Sequence, residues 1–367
     1  PSYFCQTSDN SISLRNLFFR ILLSPLALLY GIGVAFRNLL YKKGILRSIS
    51  FDIPVIVVGN LSAGGTGKSP HVEFIIRYLQ NYLPVGVLSR GYKRRTEGLK
   101  FVQRSHAVED VGDEPLQIKI KHPHVTVAVA ERRTLAIPSM LSKHPNLKCI
   151  VLDDAFQHRA LKPGLSILLT TFDQPFFSDF LLPSGNLREW RDGYHRADIL
   201  IVTKCPENLS ENTRNEIRSK INPKVNQKLF FSNYQYGKAY YLLNSKYRLQ
   251  WTPGLHVVLI CAIANTDYLE SYLLEKVAKM HTMAFPDHHY FTTDEIDQLI
   301  QRYKSMPGER KAVITTEKDA VRLIRFREKF IEANLPIFVL PIQVNILFEQ
   351  EEEFKEYLRR FLLNFTV

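Results

Sequence analysis

A glycine-dense segment that ends in lysine and serine has the clearest chemistry in this sequence. Residues 55–69 read Val-Ile-Val-Val-Gly-Asn-Leu-Ser-Ala-Gly-Gly-Thr-Gly-Lys-Ser. A backbone with so little side-chain bulk can fold its N–H groups around a phosphate chain, while the lysine reaches the outer phosphates and the serine hydroxyl binds magnesium. The segment therefore predicts a site for a nucleoside triphosphate and Mg²⁺. Its predicted residues are Ala63, Gly64, Gly65, Thr66, Gly67, Lys68 and Ser69.

The residues on either side of this loop predict the elements that hold it. Residues 55–58 are β-branched and predict a strand, and the apolar residues of 70–79 share one helical face. Pro70 suits the first turn of a helix, where its missing N–H costs nothing. The loop departs from the common pattern in one respect, because Ser62 stands where the leading glycine is usual.

Acidic residues at the end of an apolar run predict the metal side of the site. Residues 149–152 predict a buried strand that ends in Asp153 and Asp154. The ends of parallel strands face the ligand crevice, and in phosphate-loop enzymes an acid at this position holds the magnesium, directly or through water. Asp113 and Glu114 form a second acidic pair, in a predicted turn whose function the residues themselves leave open.

Basic and imidazole groups after other predicted strands extend the candidate site. The run at 90–95 contains Arg90, Lys93, Arg94 and Arg95, which suits either an anionic substrate or a solvated surface. Arg188 and Arg191 could reach transferring phosphates. Farther along, Asp287 and His288 could handle a proton together, since a carboxylate raises the basicity of a neighbouring imidazole.

Composition indicates a globular protein with anionic partners. The chain has 367 residues, 45% of them hydrophobic and 23% charged, with a formal net charge of +12. This length predicts two domains, and the charge favours a nucleotide, a nucleic acid or an anionic membrane surface. The four cysteines show no paired spacing, so we expect buried, reduced thiols and no disulfide framework or zinc site. They are Cys5, Cys149, Cys205 and Cys261.

The N-terminal segment predicts a membrane-associated helix. Residues 17–36 are nearly all apolar, and 16 uncharged residues separate Arg20 from Arg37. A spanning helix needs roughly 20 residues. Basic residues follow the segment, and no small-residue cleavage site does, which argues against a signal peptide. A helix that lies in one leaflet fits best, and an ordinary buried helix is the alternative.

Short apolar strands that alternate with helices predict the fold class. We expect an α/β protein with a phosphate-loop parallel sheet, a second, smaller α/β domain and the N-terminal membrane helix. The predicted boundaries are 1–47 for the membrane-associating segment, 48–206 for the phosphate-loop domain and 207–367 for the smaller domain. The last of these includes linker strands and a C-terminal helix.

Seven segments of the chain resemble the tetraacyldisaccharide 4′-kinases, the lipid A 4′-kinases of Gram-negative bacteria. They occur in the family's order over nearly the whole chain, and the displaced leading glycine is itself typical of this family. The segments are Val-Gly-Asn-Leu-Ser-Ala-Gly-Gly-Thr-Gly-Lys-Ser-Pro at 58–70, Leu-Ser-Arg-Gly-Tyr at 88–92, Gly-Asp-Glu-Pro at 112–115, Leu-Asp-Asp-Ala-Phe-Gln-His at 152–158, Leu-Pro-Ser-Gly-Asn-Leu-Arg-Glu at 182–189, Phe-Pro-Asp-His-His at 285–289 and Thr-Thr-Glu-Lys-Asp-Ala at 315–320.

The resemblance implies a lipid kinase on the cytoplasmic face of the cell inner membrane. The enzyme would use ATP and Mg²⁺ to phosphorylate the 4′-hydroxyl of an acylated glucosamine disaccharide 1-phosphate. Asp113 matches the proposed base, His288 or His289 its imidazole partner, and Lys68 the loop lysine. We choose His288 for the pair. The positions matched on the metal side are Ser69, Glu114, Asp153 and Asp154, and those matched beside the nucleotide are Arg133, Gln157 and Arg188.

Two other classes of protein stay open at this point. A membrane-associated phosphate-loop GTPase or ATPase switch would carry an Asn-Lys-x-Asp motif for the base, and Thr203-Lys204 is only a partial match. A nucleic-acid-binding ATPase would interleave aromatic residues with its basic run and has no use for an apolar N-terminal segment. The expected partners are therefore ATP, the lipid acceptor and the membrane surface, with no nucleic acid.

Overall fold

The protein is described by a computed structural model that covers residues 14–365. Residues 1–13, which include Cys5, and residues 366–367 lie outside the described range. The strands within this range are β1 (Val55–Asn60), β2 (Val85–Ser89), β3 (Lys100–Phe101), β4 (Thr126–Val129), β5 (Cys149–Asp153), β6 (Leu165–Thr171), β7 (Ile199–Thr203), β8 (Lys228–Tyr236), β9 (Tyr240–Tyr241), β10 (Asn244–Arg248), β11 (His256–Cys261), β12 (Lys279–Ala284), β13 (Lys311–Thr316), β14 (Ile337–Leu340) and β15 (Ile342–Ile346).

The α-helices alternate with these strands. They are α1 (Leu14–Lys42), α2 (Lys68–Leu79), α3 (Val108–Val111), α4 (Asp113–Lys121), α5 (Arg133–Lys143), α6 (Glu211–Ile221), α7 (Asp267–Leu274), α8 (Thr293–Ser305), α9 (Glu317–Leu323), α10 (Arg327–Glu332) and α11 (Glu351–Leu363). Short 3₁₀ turns occupy Phe176–Ser178, Arg191–Arg196 and Ile324–Phe326. The predicted α/β class is confirmed.

The first sheet has nine strands in the order β15-β8-β7-β6-β1-β5-β2-β4-β3. Its seven inner strands are parallel, and the two edge strands β3 and β15 are antiparallel to their neighbours. Strand β1 lies between β6 and β5, with Val58 opposite Asp153 in the register. The sheet therefore places the glycine loop after β1 next to the acidic end of β5.

Both faces of this sheet are buried, which explains its continuous apolar runs. Along β1, Val55 and Val57 contribute to one core, whereas Ile56 and Val58 contribute to the other, as the alternation of side chains in a strand requires. Helix α2 covers the second face with Ile75 among its fully buried residues. Burial of each such side chain contributes roughly 1.5–3 kcal/mol.

The second sheet has six strands in the order β10-β9-β14-β13-β11-β12. Strands β14, β13, β11 and β12 are parallel, and β9 pairs antiparallel with β14. Two further cores cover its faces, one around Val258 and Phe330 and the other around Leu259 and Ile314. This sheet forms the smaller α/β unit that the sequence predicts.

Strands β8 and β15 join the two sheets. They pair antiparallel from Ser232 opposite Ile346 to Tyr236 opposite Ile342, and β8 also pairs with β7 of the first sheet. Helix α11 packs on the first sheet as well, since the Phe354 ring lies 5.3 Å from that of Phe230. The elements at 207–236 and 342–365 thus lie beside the first sheet, although the sequence-based boundary falls at 206. We therefore propose a first lobe of 48–236 with 342–365 and a second lobe of 237–341.

Helix α1 lies along the first lobe and exposes an apolar face. The Tyr30 hydroxyl donates to the Arg188 carbonyl (2.7 Å), and the Trp190 indole donates to the Gly31 carbonyl (2.8 Å). On the other side Leu29 is 66% exposed and Phe36 61%. Arg20–Lys42 is long and apolar enough to cross a membrane by length and composition, yet its contacts tie the helix lengthwise to the protein body.

Candidate active site

The glycine loop has the backbone that phosphate binding requires. Gly64 and Gly67 have φ values of 119° and 86°, in the left-handed region that favours glycine. A Cβ on Gly67 would lie 2.0 Å from the Tyr234 hydroxyl oxygen, so no larger residue fits there. No side chain caps the N terminus of α2. Its free N–H groups, with Lys68 and Ser69 in the first turn, can therefore bind an anion.

Polar side chains beneath the loop fix its conformation. Asn60 donates to the Thr66 hydroxyl (2.8 Å), and the Thr203 hydroxyl donates to the Thr66 carbonyl (2.9 Å). The Gln157 amide donates to the Asn60 carbonyl (2.7 Å), and the Ala63 N–H donates to the carbonyl of Asn186 (2.6 Å). Thr66 and Gln157 therefore support the loop, and both also line the cleft between the lobes. Their predicted place beside the nucleotide stays a prediction.

The acidic end of β5 combines a paired and an unpaired carboxylate. Asp154 has a φ of 46° and accepts from Arg188 (3.0 Å), with the Lys68 ammonium 3.7 Å away. Asp153 is buried, and its Oδ1 has no hydrogen-bond partner among residues 14–365. Burial raises the pKa of Asp153, the charges of Glu114 and Asp154 raise it further, and Lys68 and Arg133 oppose the shift.

Arg133 holds the backbone of these acids rather than their carboxylates. One guanidinium nitrogen donates to the carbonyls of Asp153 (2.9 Å) and Asp154 (3.0 Å). Arg133 is itself buried, supports the acidic strand end and also lines the cleft. The predicted place of Arg133 beside the nucleotide therefore stays a prediction.

The carboxylates at this edge fit a divalent cation that also binds phosphate. An unpaired buried carboxylate oxygen, such as Asp153 Oδ1, is costly unless a cation or donor offsets it. Within residues 14–365 no group of three or more His, Cys, Asp or Glu side chains is arranged to hold a metal unaided. Mg²⁺ commonly takes only one or two carboxylates and completes its shell with phosphate oxygens and water, which matches this donor set.

Asp113 and His288 meet across the cleft between the lobes. Asp113 is the first residue of α4, so the predicted acidic turn is instead the first turn of a helix. Its Oδ2 lies 2.9 Å from His288 Nδ1 and 3.3 Å from Arg322 Nη2. Burial raises the pKa of Asp113, but His288, Lys318 and Arg322 together lower it to about 2. His289 instead contacts Glu295 (2.9 Å), so the structure favours His288 as the partner of Asp113.

Two residues of α9 belong to this cluster but were not singled out from the sequence. Lys318 Nζ lies 3.0 Å from Asp287 Oδ1, 3.1 Å from His288 Nε2 and 3.7 Å from Glu114 Oε1. Arg322 is the other. The available signal was the Thr-Glu-Lys-Asp sequence after β13, in which Thr316 caps the N terminus of α9. Burial lowers the pKa of Lys318, and the surrounding carboxylates raise it above its ordinary value.

The basic run after β2 divides into two parts. Arg90 and Lys93 line the cleft together with Tyr92, whose ring centroid lies 5.3 Å from that of His288. Arg94 turns away, pairs with Glu131 and donates to the Gly98 carbonyl (2.6 Å). The run is therefore neither a solvated surface nor a uniform anion site, because Arg94 anchors the loop that presents the others.

A cleft of about 1280 Å³ separates the two lobes and contains these groups. The glycine loop, Asp153 and Asp154 line one side, and residues 263–269, His288 and Lys318 line the other. Ligand pockets commonly measure roughly 300–1,000 Å³. The cleft therefore has room for a nucleotide and part of an acceptor at once.

The three cysteines within residues 14–365 do not line this cleft. Cys149, Cys205 and Cys261 are buried free thiols. Burial raises the pKa of each to about 12. The fold and the site together define a phosphate-loop phosphotransferase, in which an anion-binding loop faces a carboxylate–imidazole pair.

Comparison with known proteins identifies the family. The family model described as tetraacyldisaccharide-1-P 4′-kinase matches residues 19–363, and this chain belongs to that family. A tetraacyldisaccharide 4′-kinase of Bacteroides thetaiotaomicron is 41% identical over 349 residues, which cover 92% of this chain and 91% of that protein. One of Flavobacterium johnsoniae is 42% identical over 304 residues, covering 83% and 87%.

A solved structure has the same fold. It is a crystal structure of the "apo" form of LpxK from Aquifex aeolicus in complex with ATP, with a TM-score of 0.71 and 28% identity. The match covers 94% of this chain and 99% of the other. The two-lobed arrangement described above is therefore that of a family member that binds ATP.

Proposed function

We propose that this protein transfers the γ-phosphoryl group of ATP to the 4′-hydroxyl of a tetraacylated glucosamine disaccharide 1-phosphate, a step of lipid A biosynthesis. The observation that carries the proposal is the contact of Asp113 with His288 at the cleft lined by the glycine loop. The first lobe would hold the phosphate donor and supplies Asp113, which would receive the acceptor's proton. The second lobe supplies His288, which contacts Asp113. Family membership supports the same reaction.

The first lobe binds and neutralises the phosphates. The N–H groups of the loop and the start of α2 bind the phosphate chain, and Lys68 adds a positive charge beside it. Arg188, now paired with Asp154 (3.0 Å), lies where it can contact the transferring group. Phosphoryl transfer requires mainly such positioning and charge stabilisation from a protein.

The residues proposed to hold Mg²⁺ beside the phosphates are Ser69, Glu114, Asp153 and Asp154. One or two of the three carboxylates would contact the ion directly, and the others would act through water. The ion would neutralise charge on the β- and γ-phosphate oxygens as the transfer proceeds. The buried Oδ1 of Asp153, which has no hydrogen-bond partner, supports this assignment.

Asp113 accepts the proton of the acceptor. The new bond joins O4′ to the γ-phosphorus, the bond from phosphorus to the ADP oxygen breaks, and the hydroxyl proton passes to Asp113. A carboxylate with a pKa of about 2 is a weak base, so it takes the proton only as the new bond forms. The loose transition state of phosphoryl transfer suits this order, because the nucleophile need not ionise first.

Helix α1 places the enzyme at its lipid substrate. Its outer face is apolar, with Leu22 59% and Phe36 61% exposed, and Lys42 and Lys43 follow at its end. Such a helix lies in one leaflet with its basic residues at the headgroups. We assign it to the cytoplasmic face of the inner membrane, where ATP is present. The acyl chains of the acceptor then need not leave the bilayer.

The test is transfer of labelled phosphate from γ-labelled ATP to the detergent-dispersed disaccharide lipid. We expect a phosphorylated lipid that requires ATP and divalent metal, and little nucleotide hydrolysis without the acceptor. Parallel reactions use GTP, EDTA, or the disaccharide whose 4′ position is already phosphorylated. Hydrolysis of GTP without lipid phosphorylation would overturn the proposal and favour a nucleotide switch.

A further inference from the structure

Lys318 contacts the face of His288 that Asp113 does not. Its ammonium lies 3.1 Å from His288 Nε2, while Asp113 Oδ2 lies 2.9 Å from Nδ1 on the opposite side of the ring. Asp287 Oδ1 accepts from the same ammonium at 3.0 Å and so fixes its position, while Asp287 Oδ2 lies 3.6 Å from Nε2, beyond hydrogen-bond distance. His288 is therefore held between a group that can only donate and a carboxylate.

The donor character of Lys318 restricts the states open to the ring. An ammonium has three N–H donors and no acceptor, so Nε2 must accept. A proton on Nε2, or a ring flip that turns a C–H toward Lys318, would place two donors or a donor and a carbon 3.1 Å apart. One state satisfies both neighbours, the neutral ring with its proton on Nδ1.

We propose that Lys318 is a positioning residue for phosphoryl transfer, which fixes the orientation of His288 and the placement of its single proton on Nδ1. His288 then donates to Asp113 and leaves the carboxylate free to receive the acceptor's proton. Without Lys318 the ring can turn or carry its single proton on Nε2, and the hydrogen bond to Asp113 is then lost. The inference rests on the proposed role of Asp113 in the transfer.

The backbone of His288 makes this support necessary. Its φ of 63° lies in the left-handed region, which a non-glycine residue occupies only when its surroundings hold it there. Helix α9 supplies that support, because Arg322 of the same helix donates to the His289 carbonyl at 2.9 Å. Lys318 and Arg322 thus hold the side chain and the backbone of the same loop.

The experiment compares Lys318→Met with Lys318→Arg and Lys121→Met in the full chain. Lys121 is the matched control, since it also bridges the lobes, by pairing with Glu317 (2.8 Å) and Glu73, but does not contact His288. We expect Lys318→Met to lower kcat by ~10–100-fold and to leave the KM for ATP within about threefold. Lys318→Arg should recover part of kcat, because it keeps a donor at this position.

Nitrogen NMR of histidine-labelled protein tests the ring directly, with the His288 signals identified by their loss in His288→Gln. We expect Nε2 to be an unprotonated acceptor in the native chain and in Lys121→Met, and to change in Lys318→Met. Unchanged ring signals in a folded Lys318→Met protein overturn the inference, as does an equal loss of kcat in Lys121→Met. If Lys318→Met does not fold, Lys318→Ala, which also lacks the donor, replaces it.

The kinetic and NMR measurements also distinguish a failure of this inference from a failure of the proposed function. Absence of lipid phosphorylation by the native chain would refute the function while leaving the ring signals interpretable. Native transfer with an Nε2 proton already present would refute only the role of Lys318.

Discussion

His288 Nδ1 lies 2.9 Å from Asp113 Oδ2, although the two residues are 175 positions apart and belong to different lobes. Helix α9 completes the contact from the second lobe, with Arg322 Nη2 3.3 Å from the same carboxylate oxygen. The family resemblance pairs His288 with Asp113. In this structure the two side chains are in contact across the cleft.

A double-mutant cycle measures how far Asp113 and His288 act as a unit. We expect Asp113→Asn to lower kcat by ~10²–10⁴-fold with little change in the KM for ATP, because proton acceptance occurs only during transfer. Adding His288→Gln should cost little more, since the ring acts through the carboxylate. His289→Gln is the control, because His289 contacts Glu295 instead. Additive losses would show that the two residues act separately.

Lys68 tests the phosphate-binding loop. Its ammonium lies 3.7 Å from Asp154 in this structure, and the bound phosphates would attract it more strongly. We expect Lys68→Met to lower transfer by at least ~10²-fold while the melting temperature stays near that of the native protein. Arg77→Met, on the same helix with its guanidinium 5.7 Å from the Phe74 ring centroid, should retain activity. Steady-state kinetics that show near-native transfer by Lys68→Met would remove the loop assignment.

Two glycines of α1 offer a matched test of helix docking. A Cβ on Gly31 would lie 2.5 Å from Leu181 Cδ1 and 2.7 Å from Trp190 Cζ2, whereas one on Gly33 would meet nothing within 4 Å. We expect Gly31→Ala to destabilise the docked helix by ~1–3 kcal/mol. Gly33→Ala should stabilise it by ~0.5–1 kcal/mol. Thermal melts and proteolysis of α1 in detergent check this, and equal behaviour of the two variants would contradict the docking.

His71 should make stability depend on acid pH. Its ring lies between the Gly67 carbonyl (2.7 Å) and the Ser232 hydroxyl (3.0 Å), and burial lowers its pKa from 6.5 to about 4. The unfolded chain therefore binds a proton that the folded chain does not between these values. The contribution of neutral His71 to the free energy of unfolding is fully present above pH 6.5. It falls as the pH drops toward about 4, by up to ~3 kcal/mol in all.

Denaturant unfolding from pH 7 to pH 4 measures the effect. His71→Asn should reduce the slope of stability against pH over this range, since Asn keeps a donor for Gly67 but does not titrate. His124→Asn, at an exposed histidine, should follow the native curve. A His71→Asn curve parallel to the native one would show that other groups cause the acid loss.

Local sequence patterns predicted more of the structure of the first lobe than of the second. The strand, loop and helix around Lys68 and the acidic end of β5 follow from short runs of residue types, and the parallel register then places them side by side. The boundary at 206 stays a prediction, because β8 has the same apolar character as the strands after it and local patterns do not assign it to either lobe. Its pairing with β7 and β15 depends on how the chain returns much later.

The residues that the sequence did not single out depend on tertiary contacts. Arg322 reaches Asp113, and Lys318 reaches Glu114, because α9 packs against α4, which no local pattern shows. Arg94 looked equivalent to its basic neighbours until the structure turned it toward Glu131. The choice between His288 and His289 likewise depends on the loop backbone, since adjacent residues point in different directions.

The pairing of β8 with β15 also indicates where the second lobe could be removed from the protein. The chain leaves the first lobe after Tyr236 and re-enters at Ile342, and these two residues are partners in the strand pair. Just beyond them the Gly237 N–H donates to the Pro341 carbonyl at 2.9 Å. Residues 237–341 therefore form an insertion between the two strands of the β8–β15 pair. A two-residue turn could connect these strands in register as a β-hairpin. Removing residues 237–341 would keep the glycine loop and would remove His288 and Lys318 together. We therefore expect the shortened protein to bind a nucleotide without the residues that surround Asp113 from the second lobe.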